Sequence, residues 1–338
     1  MRILYAAGER IGANTQLCRF IQAVGNKHEI KKAAYLQSSY SLAHIDWTLD
    51  ALHHNVVADK HSQRLQGLFG HKGIPLVNIY SATTFLKEVD SFSPDLIISD
   101  GEPISAHIAK SLKIKLWYCS PIHLLDGVQW ESGQLRYKSL LDRMRGFLSK
   151  LPEPDRIFVY SPFGDIKFRP LLNTGYTWIT PYYVDTKHGD NNCTAVVNDY
   201  NRFSHLSKML NGCQNITLFS PFKEEFSNME THLTSDTDAY LKVLSESSSV
   251  FTTGETSYVS DAFYAGHNIC ISPTLNDIES LLNAILIKEY KIGTDIHQVE
   301  LMDRFALDEI EKGISKAART DYISSQERLL LNEELCNV

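Results

Sequence analysis

Short apolar runs alternate with amphipathic stretches along most of the chain. In the first half the apolar runs are RILYAA, IKKAAYL, LVNIY, PDLIISD, IKLWYCSP and RIFVYSP. Between them, NTQLCRFIQAVG, PISAHIAKSLK and LRYKSLLDRMRGFLSKL carry apolar residues at helical spacing, and residues 40–72 are expected to be helical or irregular. Strands that alternate with helices in this way are typical of a doubly wound parallel sheet.

The alternation restarts after an Asp/Asn/Gly-rich stretch at residues 184–192. TAVVND and NITLFSP are predicted strands there, and RFSHLSKMLNG and DTDAYLKVLSES are predicted helices. The 338 residues are too many for one small hydrophobic core. We therefore predict two Rossmann-like α/β domains, at 1–185 and 190–300, followed by helices at 301–338.

Composition narrows the protein class. Apolar residues make up 43% of the chain, yet no run approaches the roughly 18–20 apolar residues of a membrane span. The N-terminal sequence MRILYAAGERIG lacks the pattern of a signal peptide. The six cysteines form no CxxC pair, which argues against a disulfide framework or a zinc site. These features favour a cytoplasmic protein without a membrane span.

Charge is distributed unevenly along the chain. Residues 1–72 hold nine Lys/Arg and five Asp/Glu, a balance of +4, and six of the 13 histidines. The remaining residues hold 24 Lys/Arg and 35 Asp/Glu, a balance of −11. A basic, histidine-rich segment on an acidic chain can contact an anionic partner, although ordinary solvated faces explain it equally well.

The stretch SVFTTGETS joins a predicted strand to a predicted helix. In parallel α/β sheets, ligands bind beyond the carboxyl ends of the strands, and a helix N-terminus there favours phosphate. Small residues with hydroxyl groups suit such a site, so we predict donor phosphate contacts from Thr253, Gly254, Thr256 and Ser257. Glu255 is a further donor-binding candidate, but a carboxylate fits beside a diphosphate only if it faces a sugar hydroxyl. The alternative is an ordinary helix cap, since Thr and Ser also favour that position.

The next predicted strand, NICIS, leads into the turn PTLNDIES. A carboxylate at this strand end can accept hydrogen bonds from two ribose hydroxyls, so Asp277 and Glu279 are further candidates for donor binding. The alternative is again structural, because acidic residues are common in the first turn of a helix.

These segments together resemble the GT-B glycosyltransferases, and most of all the branch of the bacterial peptidoglycan GlcNAc transferase. The donor-segment pattern of that branch is matched by Gly254, Ser257, Asp261, Gly266, Pro273, Glu279, Asn283 and Ala284, with Ser280 where the family usually has Gln. The stretches RILYAAGERIGANTQ and PDLIISDGEPISAHIAKSLKIKLWYCSP resemble the N-terminal half of the same family. The resemblance extends over roughly residues 1–185 and 195–295.

The resemblance implies two Rossmann-like domains that face a cleft, with the C-terminal helices packing back across it. It further implies a nucleotide-sugar donor, expected to be a UDP-sugar, with no cofactor and no metal ion. The acceptor would contact the first loop at Arg10, Gly12 and Asn14. That loop departs from the family pattern, because Ala13 and Gln16 stand where the family usually has His and Arg.

Without that histidine, either another residue deprotonates the acceptor hydroxyl or the chemistry differs. Four candidates lie at the ends of predicted strands, namely Asp100, Glu102, Glu9 and His123. We favour Asp100 and Glu102, because the buried strand LIISD delivers two carboxylates on either side of Gly101. The alternative for Asp100 is a cap on the helix that follows.

Several acceptors and functions remain open. The chain also resembles the GT-B enzymes of tailed phages that glycosylate hydroxymethylated cytosine in DNA, and this resemblance implies such DNA as a candidate acceptor. The basic residues available to contact its phosphates are Arg10, Arg19, Lys27, Lys31, Lys32, Lys60, Arg64 and Lys72. A glycan or lipid-linked precursor is the alternative acceptor. A nucleotide-sugar 2-epimerase and a non-catalytic sugar-nucleotide or nucleic-acid binding protein are the alternative functions. A Rossmann dehydrogenase is disfavoured, because GERIGA lacks the GxGxxG spacing.

Overall fold

The computed structural model describes two compact units, Met1–Pro181 with Arg328–Val338 and Tyr182–Glu327, referred to below as the N-terminal and C-terminal units. The described residues are 1–8, 11–35, 46–49, 51–52, 76–77, 79–127, 138–162, 175–184, 186, 189, 192–197, 216–220, 230–233, 236–273, 277–290, 293–295 and 331–335.

The N-terminal unit contains a parallel sheet of seven described strands. They are β1 (Arg2–Ala7), β2 (Glu29–Tyr35), β3 (Trp47–Leu49), β6 (Leu96–Asp100), β7 (Lys115–Cys119), β8 (Arg156–Tyr160) and β9 (Tyr176–Ile179). Their order is β3-β2-β1-β6-β7-β8-β9, and every neighbouring pair is parallel. A separate antiparallel pair joins β4 (Ala51–Leu52) and β5 (Leu76–Val77).

The described helices of this unit are α1 (Ile11–Val24), α2 (Ile79–Phe92), α3 (Pro103–Leu112), α4 (Leu124–Gly127), α5 (Lys138–Leu148) and α9 (Leu331–Glu334). Strand β6 is buried at all five positions, because helices cover both faces of a doubly wound sheet. Its residue Ile97 packs with Leu4 of β1 and with Phe85 and Val89 of α2 in one hydrophobic cluster.

The C-terminal unit repeats the same topology with six described strands. They are β10 (Asn192–Val196), β11 (Ile216–Ser220), β12 (Glu230–Leu233), β13 (Ser247–Thr252), β14 (Asn268–Ile271) and β15 (Gly293–Asp295). Their order is β12-β11-β10-β13-β14-β15, again with every pair parallel. The described helices are α6 (Thr237–Glu246), α7 (Thr256–Ala265) and α8 (Ile278–Tyr290). The two predicted Rossmann-like parallel-sheet domains are therefore confirmed.

Two local predictions in the N-terminal half were wrong. LVNIY was expected to be a strand, but only Leu76–Val77 is extended, and helix α2 begins at Ile79. Residues 40–72 were expected to be helical or irregular, but Trp47–Leu49 forms the edge strand β3. Tertiary packing explains β3, because the Trp47 ring contacts Phe85 and Phe92 of α2 edge to face.

The last described segment, residues 331–335, belongs to the N-terminal unit. Leu331 and Leu335 are buried, and the Arg156 guanidinium pairs with the Glu334 carboxylate at 2.5 Å. Arg156 also lies over the rings of Trp117 and Phe158. These contacts anchor the C-terminal segment on the sheet of the N-terminal unit, whereas the predicted helix RFSHLSKMLNG and most of residues 301–338 lie outside the described residues.

Candidate functional site

The TTGETS turn lies where the strand order of the C-terminal sheet reverses. Strands β10 and β13 are neighbours, and the chain between them forms β11 and β12 on one side. In doubly wound sheets, ligands bind at such a switch point, beyond the carboxyl ends of the strands. The Thr253 N–H donates to the Val196 carbonyl at 3.2 Å and so joins the ends of the two strands. The turn therefore occupies the position that fold-level rules assign to a ligand.

Gly254 allows this turn to pack against the next strand and helix. Its φ angle is +104°, a backbone conformation that residues other than glycine rarely adopt. A Cβ atom at this position would lie 2.9 Å from Ile271 Cδ1 and 3.0 Å from Ser280 Cα. The glycine is thus required by close packing within the protein as well as by backbone conformation.

Replacing Gly254 with alanine is expected to lower the free energy of unfolding by about 2–4 kcal/mol, since backbone strain and overpacking both oppose it. Gly25→Ala is the matched control, because Gly25 also has a positive φ (+58°) but nothing within 4 Å of the added Cβ. That variant should lose only about 1 kcal/mol. Denaturant unfolding of both variants measures the difference, and equal losses would contradict the packing argument.

Glu279 and Asn283 of α8 hold the first turn of α7. The Thr256 N–H donates to Glu279 Oε1 at 2.8 Å. Asn283 Nδ2 donates to the Gly254 carbonyl at 2.8 Å and to Thr256 Oγ1 at 3.1 Å. All ten residues of α7, including Ser257, are buried. The residues predicted to contact the donor phosphate and the donor ribose therefore lie together, and the Glu279 carboxylate accepts the N–H of Thr256, the first residue of α7.

Asp277 caps helix α8. Its carboxylate accepts hydrogen bonds from the Glu279 N–H at 3.1 Å and from the Ser280 hydroxyl at 2.7 Å. These are the contacts of the structural alternative, in which an acidic residue satisfies the start of a helix. Asp277 as a ribose contact stays a prediction.

Glu255 lies buried near Thr252, Thr253 and the acidic start of α8. The Thr253 hydroxyl donates to its carboxylate at 2.8 Å, and the Thr252 hydroxyl does so at 3.3 Å. Burial raises the pKa of Glu255 to about 8, and the negative charges of Asp277 and Glu279 also act to raise it. Glu255 is therefore largely protonated at neutral pH, and a neutral Glu255 repels a diphosphate far less than a carboxylate would.

Asp100 lies at the corresponding switch point of the N-terminal sheet, between β1 and β6. Its carbonyl accepts the Gly8 N–H at 2.9 Å, and the Tyr5 hydroxyl lies 3.5 Å from its Oδ2. Its side chain is 1% exposed. The fold thus places Asp100 at the edge where ligands bind in such sheets, and its role as a base stays a prediction.

Glu102, the second favoured base, is the N-cap of α3. Its two carboxylate oxygens accept the Ile104 N–H at 2.8 Å and the Ser105 N–H at 2.5 Å. Sequence reasoning considered a cap at Asp100, but the capping residue is Glu102. Both oxygens accept backbone N–H groups of the helix, and the role of Glu102 as a base stays a prediction.

The remaining candidates of the N-terminal unit are only partly described. Glu9 and Arg10 lie outside the described residues. The backbone of Gly12 and Asn14 belongs to the first turn of α1, directly after β1. His123 is buried in a short 3₁₀ helix, Pro121–His123, that follows β7.

Sequence reasoning assigned no site role to Asn283, Asp261 or Asp126, of which the structure places Asn283 and Asp126 beside candidate site residues. Asn283 holds the donor turn, as described above. Asp261 of α7 accepts the Val184 N–H at 2.8 Å and the Tyr240 hydroxyl at 3.0 Å. Asp126 lies beside His123, with 3.7 Å between the carboxylate and Nδ1. The three-residue spacing of His123 and Asp126 was the signal that could have identified this pair.

The described residues were compared with the requirements of a metal site and of a membrane-spanning helix. Within the ranges given above, no group of three or more His, Cys, Asp or Glu residues could hold a metal ion. Of the helices formed by those residues, none is both long and apolar enough to cross a bilayer.

Solved glycosyltransferases share this fold. The calicheamicin glycosyltransferase CalG4 has a TM-score of 0.59 at 13% identity, over 96% of this chain and 92% of that one. The spinosyn rhamnosyltransferase SpnG has a TM-score of 0.58 at 12% identity, over 94% and 91%. SsfS6 from Streptomyces sp. SF2575 has a TM-score of 0.53 at 13% identity, over 93% and 95%. SpnG and SsfS6 have also been solved with thymidine diphosphate, and SpnG with the spinosyn aglycone.

Sequence comparison identifies the family directly. No curated protein matches the sequence. The family described as Glycosyl transferase family 1, however, matches residues 1–311, which is most of the chain. The chain therefore belongs to glycosyl transferase family 1.

Proposed function

We propose that this glycosyltransferase transfers a sugar from a nucleoside diphosphate sugar, bound by the C-terminal unit, to an acceptor hydroxyl. The observation that carries the proposal is the TTGETS turn, which lies at the switch point of the C-terminal sheet and leads into the N-terminus of α7. The thymidine diphosphate complexes of SsfS6 and SpnG support a nucleoside diphosphate as the ligand class.

The chemistry requires stabilisation of the leaving diphosphate. The N-terminus of α7 supplies partial positive charge, and Thr256 and Ser257 carry hydroxyl groups in its first turn. These groups can stabilise the departing oxygen without a metal ion. A protonated Glu255 keeps one negative charge away from the diphosphate.

The resemblance favours a uridine nucleotide, and the solved neighbours were crystallised with a thymidine nucleotide. Both bases present a similar pyrimidine edge, so both belong in the same test.

The acceptor is the finer part of the proposal, and hydroxymethylated cytosine in DNA is our candidate. Its support is the +4 balance of residues 1–72, since DNA binding depends on basic contacts to phosphates. Of the basic residues named above, Arg19, Lys27, Lys31 and Lys32 lie among the described residues. Lys31 pairs with Asp46 at 3.2 Å, which reduces the charge that it offers to DNA.

The test is incubation with a panel of UDP-sugars and TDP-sugars, with and without hydroxymethylcytosine-containing DNA. Released nucleotide and the mass of the DNA are both measured. We expect nucleotide release that depends on an acceptor, and a hexose- or pentose-sized gain in DNA mass. Nucleotide release without a gain in DNA mass would indicate that the acceptor is instead a glycan, a lipid-linked precursor or a small molecule.

The same panel separates the alternative functions. A 2-epimerase would release free nucleotide at full rate without any acceptor. A non-catalytic binding protein would bind a donor and release nothing. A protein that neither binds nor turns over any donor in the panel would contradict the proposal.

A further inference from the structure

A buried histidine follows the strand next to β6 in the N-terminal sheet. Strand β7 ends at Cys119, and the Ser120 hydroxyl accepts the Ile122 N–H at the start of the 3₁₀ helix that carries His123. Since β6 and β7 are parallel neighbours, His123 follows the same carboxyl edge at which β6 delivers Asp100. Only 3% of His123 is exposed.

The His123 ring is surrounded by three side chains from different elements. Its Nδ1 faces Asp126 Oδ1 of α4 at 3.7 Å, and neither of these buried atoms has a hydrogen-bond partner among the described residues. The Tyr176 hydroxyl of β9 donates to the other Asp126 oxygen at 3.0 Å. The Tyr118 ring of β7 stacks on the imidazole, with ring centroids 5.4 Å apart.

These neighbours determine which nitrogen carries the proton. A carboxylate that faces Nδ1 favours a proton there, which leaves a lone pair on Nε2. Burial and the Asp126 charge raise the pKa of Tyr176, so its hydroxyl remains a donor to Asp126. Burial and the more distant Glu102 charge likewise raise the pKa of Tyr118 and keep its stacked ring neutral.

We propose that His123 is the general base of the sugar transfer, with Asp126 and Tyr176 as positioning residues. The inference rests on the proposed function. It also explains how the chain can carry Ala13 where the family usually has a histidine, because His123 after β7 supplies the base that the first loop lacks.

In the transfer step, the acceptor oxygen forms a bond to the anomeric carbon of the donor. The bond from that carbon to the diphosphate oxygen breaks, and its electron pair leaves with the nucleoside diphosphate. His123 Nε2 takes the proton of the acceptor hydroxyl and later releases it to solvent. The charge on Asp126 stabilises the imidazolium that forms in between.

The kinetic test uses substitutions of similar shape. His123→Gln should lower kcat by at least about 100-fold, while the KM for the donor changes by less than about twofold. Asp126→Asn should lower kcat about tenfold or more, and Tyr176→Phe by a smaller factor. His107→Gln, on the exposed side of α3, is the matched control and should keep wild-type rates.

Asp100→Asn is the comparison that separates the two candidate bases. Under this proposal His123→Gln lowers kcat far more than Asp100→Asn does. Loss of turnover in Asp100→Asn together with near-normal turnover in His123→Gln would overturn the proposal. Circular dichroism and the melting temperature verify that each variant is folded.

A second measurement does not depend on turnover. Selective ¹⁵N-histidine labelling, with His123→Gln used for assignment, shows by NMR which ring nitrogen carries the proton. We expect a proton on Nδ1 and a bare Nε2 in the wild type, and loss of this preference in Asp126→Ala. A proton on Nε2 in the wild type would overturn the proposal even if no donor is turned over.

The kinetic and NMR experiments distinguish a failure of the His123 proposal from a failure of the proposed function. Acceptor-dependent turnover that survives His123→Gln leaves the proposed function standing and removes His123 from the mechanism. If wild-type protein turns over no donor, the proposed function fails, and no transfer remains for His123 to catalyse.

Discussion

Replacing Glu279 with alanine is expected to weaken the binding of a nucleoside diphosphate sugar at least tenfold. The variant loses the predicted ribose acceptor and the 2.8 Å bond that fixes the Thr256 N–H at the start of α7. A hydrogen bond to a charged group contributes about 1.5–3 kcal/mol, and roughly 1.4 kcal/mol corresponds to a tenfold change in affinity. Isothermal titration calorimetry measures the loss.

Two further variants determine how this result is interpreted. Glu279→Gln keeps an oxygen that accepts the Thr256 N–H, so its loss should be smaller than that of Glu279→Ala. Glu246→Ala removes an exposed carboxylate from the same unit and should bind as the wild type does. Unchanged binding by Glu279→Ala would remove the residue from the donor site. Tighter binding would mean that its carboxylate competes with the donor phosphate for the Thr256 N–H.

Donor affinity should fall by about tenfold as the pH rises from 7 to 9.5. Glu255 has a pKa of about 8 and becomes negative within this interval. Two unit charges ~5 Å apart interact by ~3 kcal/mol at an effective dielectric constant of ~20, which makes a tenfold loss a conservative expectation. Glu255→Gln should keep its affinity over the same interval, apart from titrations shared with the wild type. Parallel losses in the two proteins would contradict this role for Glu255.

The same carboxyl makes stability depend on pH with a defined sign. The Glu255 pKa rises from 4.5 in the unfolded chain to about 8 in the folded protein, so the folded state binds more protons between these values. The free energy of unfolding therefore falls as the pH rises through this window. The difference in unfolding free energy between wild type and Glu255→Gln isolates this contribution, and a difference that is constant from pH 4.5 to 9 would contradict it.

The strands that sequence reasoning identified best are those with buried apolar runs. RILYAA, PDLIISD and IKLWYCSP became β1, β6 and β7, because a parallel sheet covered on both faces needs continuous apolar segments. All four edge strands, β3 and β9 of the N-terminal sheet and β12 and β15 of the C-terminal sheet, were missed. They are short, and β3 is extended because Trp47 packs on α2, a contact between distant parts of the chain.

The sequence indicated where the candidate site lies in the chain, but it did not indicate which hydrogen bonds its side chains make. Small residues after an apolar run indicated the TTGETS turn, and strand order placed that turn at the switch point. The partner of Glu279 depends on how α7 and α8 pack against each other. The partners of Asp277 and Glu102 depend on which carboxylate caps the start of each helix. Local sequence does not specify those contacts.

Hydrogen–deuterium exchange with and without saturating UDP or TDP tests the location of the donor site most directly. We expect slower exchange in two segments, residues 253–260 and 277–284, because a bound diphosphate orders the turn and its supporting helix. Glu279→Ala should reduce this protection at the same ligand concentration. Protection confined to the N-terminal unit, or unchanged exchange in both segments under saturating ligand, would contradict the account.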